Sequence, residues 1–129
     1  CGVVIAEPKL IDFLSSILPP YSFPTPSIEL VLKAFDKRSL NIGKERIQIL
    51  RTERAWLKKE LMNVSDVKKV WPSDANFIFV ETSNAKNFQE TARQANVLVR
   101  TFPDQPALKN FVRITVGRRE DNNKLLQAF

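Results

Sequence analysis

No histidine occurs among the 129 residues, and cysteine occurs once, at Cys1. Without imidazole, and with one thiol, the chain can build neither a zinc finger nor a Ser-His-Asp or Cys-His catalytic set, and no internal disulfide can form. No metal site is expected. Glycine is scarce: Gly2, Gly43 and Gly117 stand far apart, at about a third of the average usage of roughly 7%. Neither GxGxxG nor GxxxxGK[ST] can be written, which excludes those glycine-rich phosphate loops. No run approaches the roughly 20 apolar residues that cross a bilayer, and the first 30 residues show no signal or transit pattern. Since the sequence also opens on Cys rather than Met, it reads as a piece of a longer chain.

What is present suits one folded domain. The apolar share is 43% and the charged share 26%, a balance that argues against disorder. The surplus of 20 basic over 14 acidic residues gives a formal charge of +6. Much of it lies between Lys33 and Lys59, including Lys44, Arg51 and Lys58 at seven-residue intervals. Such a stripe could attract an anionic partner, but no aromatic residues interleave with the charges as base-stacking platforms do. A solvated helix face is the simpler reading.

Hydrophobic patterning divides the chain. Gly2–Ala6 reads as a buried strand rich in β-branched residues. Lys9–Leu18 reads as a short helix with Leu10, Phe13, Leu14 and Ile17 on one face, stopped by Pro19-Pro20. The proline-rich stretch to Pro26 reads as extended, and Ser27 is placed to cap a helix bearing Ile28, Val31, Leu32 and Phe35. From Asn41 to about Asn63, Ile47, Leu50, Leu57 and Leu61 mark the longest helix. Strands are expected at Asn76–Thr82, Val97–Thr101 and Val112–Val116, with a fourth at Val67–Trp71. Helices are expected at Ala85–Gln94 and Arg119–Phe129. The second half is therefore an α+β layer, helices packed on a small sheet of three or four strands.

Two arginines attract attention as chemistry. Arg100 follows Val97-Leu98-Val99, and Arg113 interrupts Phe111–Val116. A charge inside an apolar β-run is costly to bury unless it meets an anion, and two guanidinium groups on adjacent strands would make a fork for a phosphate or carboxylate. Both could equally point to solvent, because strand alternation turns every second residue outward. Trp56, Trp71 and Tyr21 read as packing residues, and Cys1 as an inert thiol.

At these residues the sequence resembles a known family. Arg113-Ile114-Thr115-Val116-Gly117, followed by Glu120, Asn122 and Leu125-Leu126, is similar to the closing motif of histidinol-phosphate aminotransferases, which are fold-type I pyridoxal-phosphate enzymes. Val97–Arg100 with Phe102 resembles the family's strand ending in a substrate arginine, and Ala75-Asn76-Phe77-Ile78 its "SxANF" strand. Glu53-Arg54 with Leu57 and Leu61 resembles its long helix, and Gly2–Ala6 and Pro20-Tyr21 the segment after its cofactor lysine.

The resemblance implies transfer of an amino group between L-histidinol phosphate and 2-oxoglutarate in a parent enzyme, with Arg100 and Arg113 gripping the anionic end of the substrate. It implies pyridoxal phosphate in that parent as the electron sink. It places the Schiff-base lysine, the cofactor-phosphate arginine, the tyrosines, and the asparagine and aspartate around the cofactor upstream of Cys1. No catalytic residue is then expected in this chain, no covalently bound cofactor, and no activity from it alone. Residues 1–35 would be the tail of the large cofactor domain, a strand and two helices, loosely held or buried by self-association. Residues 36–129 would be the small substrate domain. A cytoplasmic homodimer is the expected parent, acting on small molecules and without nucleic acid or membrane partners. Two alternatives stay open: a stand-alone basic module binding anions or nucleic acid, and a piece of a related aminotransferase or threonine-phosphate decarboxylase.

Overall fold

The computed structural model describes residues 3–20 and 22–129. The chain divides into two compact units, Cys1–Glu45 and Arg46–Phe129. The first holds helix α1 (Pro8–Ile17), helix α2 (Thr25–Ala34) and the start of α3 (Lys37–Leu61). Proline opens both short helices, at positions where its missing N–H would have had no helical partner anyway. Leu18, next to Pro19, is extended at φ −76° and ψ 139° and ends α1. Asp36 caps α3: its Oδ1 accepts from the Ser39 backbone N–H at 2.7 Å.

Several expectations for this region need correction. Val3–Ala6 forms no strand, because an extended segment becomes one only by pairing and no described strand lies beside it. Gly2 lies outside the described residues, as do Cys1 and Tyr21. Ser27 does not cap α2, which begins two residues earlier and uses Pro24 as its non-helical boundary. The long helix starts at Lys37 rather than Asn41, since Asp36 supplies a cap that apolar periodicity cannot register.

The second unit is a four-stranded antiparallel sheet in the order β1-β2-β4-β3. Its strands are β1 (Val67–Val70), β2 (Phe77–Thr82), β3 (Arg100–Thr101) and β4 (Phe111–Thr115). Helices α4 (Ala85–Gln94) and α5 (Arg119–Leu126) join the C-terminal half of α3 on one face. The burial alternates strictly. Ile78, Val80 and Thr82 of β2 are buried, as are Val112 and Ile114 of β4. They meet Leu57 and Leu61 from α3, Ala85, Phe88 and Ala92 from α4, and Leu125 from α5. Phe88 is fully buried and stacks on Phe129 at 4.2 Å between ring centroids.

One expected strand is shortened for a clear reason. The apolar run from Val97 contributes only Arg100–Thr101 to the sheet, because its first residues terminate α4. Asn96 takes the left-handed conformation, φ 59°. Its N–H donates to Arg93 O at 2.9 Å and the Val97 N–H to Ala92 O at 2.9 Å, which is a Schellman motif with asparagine in the place glycine usually takes. The final helix likewise ends at Leu126, short of Phe129. No described helix is long and apolar enough to cross a membrane.

Candidate functional site

The site is built on the sheet face opposite the helices. In β4, Arg113 sits between buried Val112 and Ile114, so alternation turns it to the open face. Arg100 follows buried Val99 and turns the same way. The register makes them direct cross-strand partners, Arg100 opposite Arg113, with Phe79 of β2 opposite Arg113 on its other side. Side chains so opposed start with their Cβ atoms about 5 Å apart. The structure thus brings together the two arginines singled out from the sequence.

Their surroundings are aromatic rather than acidic. The Arg113 guanidinium lies 5.2 Å from the Phe77 ring centroid and that of Arg100 5.6 Å from Phe102. Phe102 meets Phe79 edge-on at 5.6 Å, Phe79 stacks on Phe111 at 5.0 Å, and Phe111 reaches Trp71 at 6.5 Å. Among the described residues, no carboxylate lies within 4.0 Å of either guanidinium. Like charges placed directly opposite destabilise a ladder, and no described group offsets the repulsion of this pair. Planar forks suit phosphate or carboxylate oxygens.

The flanking segments hold these strands. The Gln89 side-chain amide of α4 donates to Val99 O at 3.1 Å, fixing the backbone just before Arg100. At the start of β4, Asn110 O accepts from the Thr82 N–H at 2.8 Å and from Thr82 Oγ1 at 2.9 Å. At its end, Asn122 clamps Gly117: the Gly117 N–H donates to Oδ1 at 2.9 Å, and Nδ2 donates to Gly117 O at 3.1 Å. The approach is close at Gly117: an added Cβ would stand 3.1 Å from Asp121 Cβ and 3.3 Å from Asn122 Oδ1, so a larger residue requires those neighbours to shift.

Asn122 Nδ2 also reaches Glu53 Oε2 at 3.3 Å. Glu53 in turn receives the Arg119 fork, Nε at 2.9 Å and Nη2 at 2.8 Å, and the Arg119 guanidinium lies 3.8 Å from the Trp56 ring centroid. Hydrogen bonding from Arg119 holds the Glu53 carboxyl below its ordinary pKa, with Asn122 assisting and partial burial opposing. Glu53 and Asn122 stand within the motifs of the family resemblance, but their local sequence carries no signal of this contact. Arg119, at the start of α5, carries no such signal either.

The basic stripe on α3 is partly structural. Arg54 donates from Nη1 to Ala75 O at 2.6 Å, bracing the turn before β2. Trp56 packs against the core, as expected of it, whereas Trp71 lies on the open face with the Lys69 ammonium 3.7 Å from its ring centroid. No lysine lies on β3 or β4. The strands that carry the arginines therefore do not supply an amine for a Schiff base, and the described residues contain no cluster of His, Cys, Asp or Glu able to hold a metal.

Comparison with known proteins agrees with this architecture. Residues 1–129 match the family model for aminotransferase class I and II. A histidinol-phosphate aminotransferase of Haemophilus influenzae is 33% identical over 128 residues, covering 99% of this chain and 36% of the relative. One from Christiangramia forsetii is 32% identical over 130 residues. Among solved structures, the histidinol-phosphate aminotransferase of Clostridium acetobutylicum superposes with a TM-score of 0.82 at 18% identity, over 93% of this chain and 36% of that one. The chain spans about a third of the length of the curated relatives it matches. It belongs to the class I and II aminotransferases, and its sheet and helices are part of their fold-type I architecture.

Proposed function

We propose that this chain is the carboxy-terminal portion of a histidinol-phosphate aminotransferase, in which Arg100 and Arg113 bind the phosphate of L-histidinol phosphate and the carboxylate of 2-oxoglutarate in turn. One observation supports the reading above the others: two arginines stand directly opposite each other on an open sheet face, with no described carboxylate beside either. An anion entering between them relieves their repulsion and receives charge-assisted hydrogen bonds from both. The Phe77 and Phe102 rings stand beside the two guanidinium groups and form an apolar flank to the pair.

Residues 36–129 then form the small substrate domain and residues 1–35 the tail of the large domain of a cytoplasmic homodimer. Pyridoxal phosphate supplies the electron sink for amino transfer in that parent enzyme. The family resemblance assigns its Schiff-base lysine to the sequence upstream of Cys1, and the strands that carry Arg100 and Arg113 hold no lysine of their own. Their part is to bind and orient the substrate at its anionic end, which commits the rest of the substrate to one approach.

The test uses the full-length enzyme. Arg100→Lys and Arg113→Lys should each lower kcat/KM for L-histidinol phosphate at least tenfold, about 1.4 kcal/mol, because a point charge does not reproduce the planar fork. L-threonine O-3-phosphate serves as the competing substrate: turnover of it in preference would move the assignment to a phosphothreonine decarboxylase. Normal kinetics in both lysine variants would remove the arginine site. The isolated 129-residue chain mixed with pyridoxal phosphate should show no visible absorption band that a single lysine substitution abolishes.

A further inference from the structure

Thr82 and Asn122 are the buried polar residues among those described, 0% and 3% exposed. Burying a polar side chain costs stability unless its hydrogen bonds are made, and here both spend those bonds on the two ends of one strand. Thr82 holds Asn110 O immediately before β4, and Asn122 holds both backbone groups of Gly117 just after it. Arg113 lies between these anchors, three residues from one and four from the other.

The strand has a reason to need them. Only two residue pairs join β3 to β4, and one of them is Arg100 opposite Arg113. Repulsion between the two cations pushes this short ladder apart whenever no anion is bound. The anchors on the core side resist it, and the outer one is itself braced: Glu53 orients the Asn122 amide, and Arg119 holds Glu53 in a fork over Trp56. Glu53 stands on the helix whose Leu57 and Leu61 are wholly buried.

We infer that Thr82 and Asn122, with Glu53 behind Asn122, are positioning residues that hold Arg113 opposite Arg100 and so keep the anion site formed in the absence of ligand. The inference rests on the anion-binding reading of the arginine pair and assigns further residues to it.

The experiment uses the full-length enzyme with two amino donors, L-histidinol phosphate and unphosphorylated L-histidinol. Thr82→Val keeps the shape and removes the hydroxyl; Asn122→Ala removes the clamp. Each should raise KM for the phosphorylated donor three- to tenfold, leave kcat within about twofold, and leave kcat/KM for L-histidinol, which is independent of the 2-oxoglutarate half-reaction, unchanged. Thr82→Ser should restore the parent KM. In an Arg113→Lys background the Thr82→Val effect should vanish, because a positioning residue cannot act through a side chain already lost.

A lower melting temperature with equal losses on both donors, or effects that multiply with Arg113→Lys, would overturn the inference and leave the anchors merely structural. If Arg113→Lys alone leaves KM for the phosphorylated donor unchanged, the anion-site reading falls and this inference with it. If Asn122→Ala does not fold, the near-isosteric Thr82→Val decides.

Discussion

Arg113 shares its row of the sheet with two unlike neighbours, Phe79 on one strand and Arg100 on the other. The arrangement puts a cation against an apolar surface and against a second cation in the same cross-section. Neither neighbour offers a counter-charge, and both side chains remain on the face away from the core. The proposed anion site requires a pair so placed to act as one unit.

That unity is measurable. In the full-length enzyme, the Arg100→Lys, Arg113→Lys double variant should lose little more activity on L-histidinol phosphate than either single variant, whereas two independent contacts would multiply their losses. The kcat/KM for L-histidinol, which is independent of the 2-oxoglutarate half-reaction, should match the parent in all three variants. Steady-state kinetics on both donors checks the prediction.

Acid should weaken the Glu53–Arg119 link. The Glu53 pKa is depressed in the folded chain, so its contribution to stability is fully present above the ordinary glutamate range and is lost as pH falls through the lowered value. Melting temperature measured from pH 7 downward should fall in that acidic window, and Glu53→Gln should flatten the fall while lowering the plateau. An unchanged acid limb in Glu53→Gln would mean the pair adds nothing to the folded state.

At Asn96 the direction of the effect depends on the residue introduced. A left-handed conformation costs an ordinary residue roughly 1–2 kcal/mol, so Asn96→Ala should destabilise by about 1 kcal/mol and Asn96→Gly should be neutral or stabilising. Chemical denaturation of both variants decides it; equal destabilisation would show that the asparagine side chain, rather than the backbone angle, matters there.

Protection should be uneven along the chain. No described residue from 3 to 45 is buried, while β2 and β4 lie over fully buried Leu57, Leu61 and Phe88. Amide exchange in the isolated chain should be fast across α1 and α2 and slow in β2 and β4. Phe88→Ala should cost about 3–5 kcal/mol and release protection in the sheet. Equal protection in the two regions would contradict the burial pattern.

Much of this was legible in residue order because the governing forces are local. The alternation in Phe77–Thr82 and Phe111–Val116 specifies which side chains enter the core, and it places Arg113 outside. The helix at Ala85–Gln94 is read to the residue because Asn84 caps one end, accepting from the Lys86 and Asn87 N–H groups. Val97–Val99 misled because an apolar run looks the same whether it pairs in a sheet or closes a helix cap; Asn96 was the signal that could have separated the two. The Glu53 to Arg119 contact joins residues 66 apart, and no periodicity reports a pairing of that kind. The register that sets Arg100 opposite Arg113 is equally non-local, since it depends on where two strands meet after an intervening turn.

The brevity of β3 has an effect on the molecule's behaviour in concentrated solution. A sheet margin displays unsatisfied backbone groups that can recruit a strand from another molecule, and short or interrupted margins suppress this. Here the Asn96 cap occupies the chain before the margin and Pro103 follows soon after Thr101, leaving only two residues to act as a template. The opposite margin, β1, carries Lys68 and Lys69, an irregularity in register between Val67 and Lys69, and Pro72 just beyond. Both margins are therefore poor seeds for intermolecular β-pairing, and the same short strand that presents Arg100 keeps the sheet from extending into a neighbour.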